Sequence, residues 1–467
     1  MEFRIIRRAA PFVLSFAFMG CSAADDLPVP EEISTTEQAI FHGPSVVYKI
    51  GALDDPGTTT LYGAAVRLAV KQMNQALSSL HSNVRFEVEF GDDLGNQPAV
   101  ARAETLRLLN EEGVLAMVSD SSGDTIQVNG LNYDPASPAP YKFPVVCYQC
   151  SNGFINDPAA VDANAVNQAA LRDPDNWLFR IFYDADYEAR VIDQIIVSKP
   201  DFGDRNGDGV LRISVFADSG HTSLANAIAP TLADYYSGPS SVEVVVLSAA
   251  ANYAAEWPAV VDSSPGEPDY VVLGMLPTRV APAVLAYRAG GYTIPVISNN
   301  SFRRNYILPT IGEGANGLEG SSVALANDNL AGDLFVHAFT AANGGQGPEQ
   351  TSSGAYDSAT TLMLATLVAA RKVGTAKVKP SHIRDGLTQI NKRHGIKILP
   401  SPVSFGVAAL AVLAGVPINY EGAYDSIDWN SVGDIFPPLV HWSVEDQQFV
   451  ELEAYSCSSS TPLCPSE

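Results

Sequence analysis

Three short stretches carry residues whose types and spacing could do chemistry. Ser119, Ser121 and Ser122 stand with Gly123 just ahead of a helix-forming stretch, where hydroxyls and helix N-terminal amides would receive a carboxylate or similar anion. Small polar residues also make ordinary turns, and the run reads equally well as one. Asp204-Arg205-Asn206-Gly207-Asp208-Gly209 has the alternating spacing of a calcium loop, in which Asp204, Asn206 and Asp208 would converge on a hard cation. Its twelfth position is Val215 rather than an acid, which excludes a complete EF-hand and leaves an incomplete calcium site against a plain surface turn. Cys147 and Cys150 form a Cys-x-x-Cys pair. Such a pair can be a disulfide, a redox couple or half a zinc site, but no His-Cys cluster supplies further zinc ligands.

Catalytic patterns are missing. The sequence holds no Gly-x-Ser-x-Gly, His-Glu-x-x-His or Gly-x-x-x-x-Gly-Lys, and each of those carries a definite mechanism. His221 lies near Asp218 and Ser223, yet neighbours in sequence do not make a triad, and the trio reads as a solvated loop. The expectation is that the chain is not an enzyme and has no cofactor beyond the incomplete calcium loop.

The elements that must position these residues follow a regular rhythm. Strand 46–51, helix 62–76 with Val66, Ala69, Val70 and Met73 on one face, alternating strand 84–90 and helix 99–110 form two βα units. Strands 114–118 and 143–146 continue the series, and strands alternating with helices imply parallel pairing with right-handed crossovers. The rhythm restarts after Phe179-Arg180-Ile181 with helix 187–197, strand 211–216, helix 223–236, strands 242–247 and 270–273, helix 280–290 and strand 294–297. A strand at 322–325, a long helix at 356–373, a helix at 380–390 and β-rich segments from Ile418 to Tyr455 complete the chain. The apolar run 405–416 is too short to span a bilayer and reads as core.

Of 467 residues, 28 are Lys or Arg and 52 are Asp or Glu, a net charge of −24. That charge repels phosphate backbones, so nucleic acid is excluded as a partner. Arg4, Arg7 and Arg8 precede an apolar run and then Phe18-Met19-Gly20-Cys21, which resembles the lipobox of bacterial lipoproteins. The resemblance implies a signal peptide over 1–20, a lipidated Cys21, a tether over 21–43, and an exported, lipid-anchored protein facing the periplasm or the outer membrane. Cys147, Cys150, Cys457 and Cys464 then remain, with three pairings open; the local pairs close the shortest loops.

In open parallel sheets, ligands bind beyond the carboxyl ends of the strands. The order of segments resembles the type I periplasmic solute-binding proteins, the leucine and branched-chain amino-acid-binding group of ABC-transporter receptors. The matching segments are Tyr48-Lys49-Ile50-Gly51-Ala52 with Tyr62-Gly63-Ala64-Ala65, Gly91-Asp92-Asp93, Val118-Ser119-Asp120-Ser121-Ser122, Pro144-Val145-Val146, and Phe179-Arg180 with Asp184. Later come Pro268-Asp269-Tyr270-Val271-Val272, Ala289-Gly290-Gly291-Tyr292 before Pro295-Val296-Ile297, and Ala355-Tyr356-Asp357-Ser358-Ala359.

The resemblance implies an α/β fold of two lobes, each a mostly parallel sheet flanked by helices, with the ligand cleft between them. It places lobe one at 44–181 and 326–418, lobe two at 182–325 and 419–455, and a tail at 456–467. It implies a monomer that captures a small polar solute and delivers it to an ABC permease, its membrane contact being the lipid anchor alone. A ligand-sensing or surface lipoprotein of the same fold, without a transporter, is the alternative. Carried over residue by residue, Tyr62 matches the aromatic that covers the ligand, and Ser121 or Ser122 the hydroxyl that takes its carboxylate. Gln149 and Ser151 match a backbone-plus-hydroxyl clamp, and Asp184, or else Asp186, the acid that meets its ammonium group. Lobe two departs from the pattern: Met275-Leu276-Pro277 replaces a tyrosine, and Ser298-Asn299-Asn300 replaces an acid. Asn299 and Asn300 would suit an amide, urea-like or hydroxylated solute better than an α-ammonium group.

Overall fold

The computed structural model describes residues 44–54, 61–94, 97–136, 141–218, 221–248, 251–261, 267–304, 306–324, 326 and 329–457. Cys21, with the expected signal and tether, and Cys464 lie outside the described residues. The first lobe begins with β1 Val46–Leu53, α1 Tyr62–Ser79, β2 Val84–Gly91, α2 Pro98–Arg107, β3 Met117–Ser121, α3 Ser122–Gly130, β4 Val145–Gln149, α4 Ala165–Arg172 and β5 Leu178–Arg180. Its five strands pair in the order β2-β1-β3-β4-β5, all parallel. Parallel strands covered on both faces must be apolar throughout, and Ile50, Ala52, Met117, Val118, Val145 and Val146 are buried accordingly. Helix α1 buries the face read from its spacing, Val66, Ala69, Val70 and Met73.

The second lobe runs through α5 Ala185–Val197, β6 Leu211–Ala217, α6 Thr222–Leu232, β7 Ser240–Val246, α7 Tyr253–Val261, β8 Tyr270–Gly274, α8 Pro277–Ala289, β9 Val296–Ser298, α9 Ile307–Ile311 and β10 Glu319–Val323. The chain then returns to the first lobe with α10 Leu330–Ala342, α11 Ser352–Val373, α12 Pro380–Leu387, β11 Ile396–Ile398, α13 Pro402–Leu413 and β12 Ile418–Tyr420. It ends in the second lobe with the hairpin β13 Leu439–Glu445 and β14 Gln448–Tyr455. The second sheet has the order β14-β13-β10-β9-β8-β6-β7, parallel except where β13 meets β10 and β14.

Several boundaries differ from the sequence expectation, and two of the differences bear on the site. Ser119, Asp120 and Ser121 continue β3 rather than forming a loop, because Ser119 pairs with Cys147 and Ser121 with Gln149 on β4. Residues 419–434 stay with the first lobe rather than the second: β12 pairs with β11, and Asp357 of α11 accepts bonds from Tyr420 Oη (2.6 Å), Ala423 N (2.9 Å) and Tyr424 N (2.8 Å). The apolar run 405–416 lies largely within α13, buried along Phe405, Ala408, Ala409 and Val412.

The chain crosses between lobes three times, after β5, after β10 and before β13. Two crossings are joined at Arg180. Its amide donates to Gly433 O (2.8 Å), and its carbonyl accepts from Ile435 N (3.2 Å). Its guanidinium, 1% exposed, donates Nε (3.0 Å) and Nη2 to the two oxygens of Asp434 and Nη1 to Asn152 O (3.1 Å). Asn156 Nδ2 adds a bond to Asp434 Oδ1 (2.8 Å). Removing one member of a buried pair leaves the other charge uncompensated, which costs about 3–5 kcal/mol. Urea denaturation of Arg180→Met should show a loss of that size, and Arg180→Met/Asp434→Leu should recover much of it.

Candidate functional site

The carboxyl ends of β1, β3 and β4 form one wall of the seam between the lobes. Tyr62 opens α1, half-buried, with its ring centroid 5.5 Å from that of Tyr148 on β4. Ser121 is the N-cap of α3: its Oγ accepts from Asp124 N (3.2 Å) and donates to Asp124 Oδ2 (2.8 Å). Ser122 Oγ accepts from Asn152 N (3.1 Å), which ties the α3 turn to the loop after β4. Gln149 lies beside Ser121 in the sheet, and Ser151 follows Cys150. Cys147 and Cys150 are disulfide-bonded, so the chain carrying Gln149 and Ser151 is pinned to β4. Cys457 is also disulfide-bonded.

Behind Ser121 and Ser122 stand three buried acids. Oxygens of Asp93, Asp120 and Asp124 lie within 4.8 Å of one another, a spacing that also suits a hard cation. Burial, then the charges of Asp93 and Asp124, push the Asp120 carboxyl well above the usual carboxylate range. Burial lifts Asp124 to about 6. Like charges this close cannot all ionise in a dry site. The wall that resemblance assigns to a ligand carboxylate is therefore acidic, and the Ser121 hydroxyl is committed to its cap.

The opposite wall comes from the second lobe. Asp184 caps α5, its Oδ1 accepting from Tyr187 N at 2.7 Å. Burial raises its carboxyl to about 6 against the pull of Arg180. Asp186 is exposed, and a Cβ built on Gly153 would stand 3.8 Å from its Oδ1, so the loop after β4 meets the start of α5. Asn299 and Asn300 follow β9 and are buried. Asn300 N donates to Glu188 Oε1 (2.8 Å), which also accepts from Ser321 Oγ (2.9 Å). Across the seam, Gln350 Nε2 lies 3.4 Å from Asn300 Oδ1. His221 Nδ1 pairs with Asp218 Oδ1 at 2.8 Å, and Asp218 is 2% exposed; the pair is built into this lobe rather than sitting in a solvated loop.

Helix α11 closes the seam. A Cβ on Gly354 would meet Tyr148 Cβ at 3.3 Å and Tyr148 O at 3.4 Å, so glycine lets the helix start lie against β4. Tyr62, Ser121, Ser122, Gln149 and Ser151 thus stand at the carboxyl ends of the first-lobe strands, Asp186 lies by the loop after β4, and Asn300 meets Gln350 across the seam. Asp204, Asn206 and Asp208 are elsewhere, before the amino end of β6. Asp204 Oδ1 accepts from Gly207 N (2.6 Å) and Asp208 N (3.1 Å), Asn206 Oδ1 from Asp208 N (2.9 Å), and Asp208 Oδ2 from Arg212 Nε (2.7 Å). Their oxygens cap the turn itself. Sequence reasoning passed over Tyr148, Glu188, Arg304, Gln350 and Thr351; of these only the Arg303-Arg304 doublet, directly after the Asn299-Asn300 departure, gave a readable signal.

A fold of two parallel-sheet lobes meeting at their strand ends defines a class of hinged binding proteins. A family model described as periplasmic binding protein matches residues 49–397, and the chain belongs to that family, with the type I fold. Among solved structures, it is similar to the leucine-binding protein LivK of Thermotoga maritima, with 15% identity and a TM-score of 0.63, covering 88% of this chain and 99% of that one. It is also similar to LivJ of Streptococcus pneumoniae in complex with isoleucine (13% identity, TM-score 0.60, covering 88% and 99%). A third is an ABC-transporter solute-binding protein of Rhodopseudomonas palustris in complex with 3,4-dihydroxybenzoic acid (15%, TM-score 0.59, covering 88% and 97%). No curated protein matches the sequence. Among the described residues no helix is long and apolar enough to cross a membrane.

The buried acids give the site a pH signature. Asp124 and Asp184 hold their protons to about 6 and Asp357 to about 7, in each case chiefly through burial, whereas in the unfolded chain an aspartate releases its proton near 4. The folded state therefore binds more protons in that window. The stability they add is fully present below about 4 and is lost as pH rises through about 6 to 7. Melting temperature should be higher at pH 5 than at pH 7.5, and Asp184→Asn, which keeps the cap, should shrink the difference.

Proposed function

We propose that this chain is the substrate-binding lipoprotein of an ABC transporter, anchored through Cys21, which captures a small polar solute between its lobes and delivers it to a membrane permease. The observation that supports the reading is the seam itself, where buried polar groups of the two lobes face one another, Gln350 Nε2 lying 3.4 Å from Asn300 Oδ1; Tyr62, Ser122 and Asp184 are the residues we assign to its rim. Binding there draws affinity from a few directed polar groups in a desolvated site, and hinge closure reports it. The site binds and releases its solute without changing it.

The solute classes follow from the walls. Of the similar proteins, one is a leucine-binding protein and two are in complex with isoleucine and with 3,4-dihydroxybenzoic acid, which makes amino acids and aromatic acids the first candidates, with amides and urea-like molecules beside them. Asn299 and Asn300 stand where an acid would take an ammonium group, so a solute without one is favoured.

A thermal-shift screen of the purified chain against amino acids, amides, ureas, polyols and aromatic acids tests this directly. A ligand of the native state alone at 100 times its Kd should add about 2.7 kcal/mol of stability. The same ligand should reduce the radius of gyration in solution scattering as the lobes close. Absence of any stabilising solute across all five classes would defeat the reading.

A further inference from the structure

Two buried arginines follow β9, and they are treated differently. Arg303 is paired: its guanidinium donates to Ser322 Oγ (3.1 Å), Val323 O (3.3 Å) and Glu451 Oε1. Arg304 is equally buried, 7% exposed. Its side chain has a single bond among the described residues, from Nη1 to the main-chain carbonyl of Gln350 at 3.4 Å. Among the described residues no carboxylate forms an ion pair with it, although Glu349 and Tyr306 lie near enough to feel its charge. A buried cation that lacks an ion-pair partner is costly.

What lies beside it is the start of α11, a helix of 22 residues. The N-cap is Thr351, a residue type that ordinarily caps through its hydroxyl. Here Thr351 sits at φ 70°, a left-handed conformation that a β-branched residue rarely adopts, and it makes no side-chain cap. Its Oγ1 is fully buried with no hydrogen-bond partner among the described residues. Strain of this kind gathers where ligands are clamped. The positive end of the helix, a hydroxyl that does not cap it and a guanidinium with no ion pair among the described residues therefore stand at one place.

We propose that Arg304 and the Thr351 end of α11 form the seat for an anionic group of the solute, a carboxylate in the first instance. This inference rests on the solute-binding reading above and narrows it to acids. Arg304 comes from the second lobe and Thr351 from the first, so an anion held by both favours the closed form. The acid cluster at Asp93, Asp120 and Asp124 supports the same assignment by repelling a carboxylate from the Ser121–Ser122 end of the site.

Calorimetry on the full chain with matched pairs decides it: 4-hydroxybenzoate and 4-hydroxybenzamide, L-leucine and L-leucinamide, lactate and lactamide. The acid of at least one pair should bind ~10-fold or more tightly than its amide, as expected for charge-assisted bonds. Arg304→Gln should abolish that preference, and Arg304→Lys should keep part of it. Without ligand, Arg304→Gln should melt no lower than the parent, because it removes a buried charge that has no partner. An amide that binds as well as its acid, a preference that survives in Arg304→Gln, or a clear fall in that variant's unliganded melting temperature would each overturn the assignment and leave the solute-binding reading standing. If neither member of any pair binds, while another class in the wider screen does, the anion seat is rejected; if nothing binds in either experiment, both fall.

Discussion

Everything about the two-lobe arrangement passes through Arg180 and Asp434. Three crossings have to hold two separate sheets in one relation, and short crossings bury main-chain groups that need partners. Arg180 meets that demand from one position: its main chain bonds Gly433 and Ile435, while its side chain holds Asp434 and the carbonyl of Asn152. The planar guanidinium offers five donors in a fixed fork, which a lysine could not reproduce. One residue thus links the end of the first sheet, the segment leading into the last hairpin and the loop that carries Ser151. The interaction is local, yet it ties together two of the three crossings and the loop after β4.

The seam is electrostatically uneven. Acids gather behind Ser121 and Ser122, and arginine stands opposite beside α11. In a medium from which water is partly excluded, such a division acts over several ångströms and sorts ligands by the position of their charge as much as by their shape. Proteins of the same fold have been solved with molecules as different as isoleucine and 3,4-dihydroxybenzoic acid.

The fold was more legible than the site. Period-2 and period-3.6 patterns placed most strands and helices within a few residues, since in a parallel sheet the buried face of each element is written in its own sequence. The misplacement of residues 419–434 has a plain cause: their partners, Asp357 above all, lie some sixty residues earlier, and no local pattern records that pairing. Ser121 and Asp184 were legible as residues before helices, but a cap and a ligand contact look the same in sequence. Arg304 could be noticed as a charged doublet, whereas its lack of a counter-ion is a property of three dimensions only. Thr351 carried no signal, because a left-handed threonine is imposed by what surrounds it.

The last strand, β14, stands at the end of the second sheet, with one side unpaired among the described residues. An open row of main-chain donors and acceptors invites a strand from another molecule. Along this border Glu451 and Glu453 are exposed, one drawn to Arg303 and the other to the Tyr455 hydroxyl. A second copy approaching in register would bring like charges together at the rim. The hairpin that finishes the sheet thereby also works against growth of the sheet from one molecule into the next.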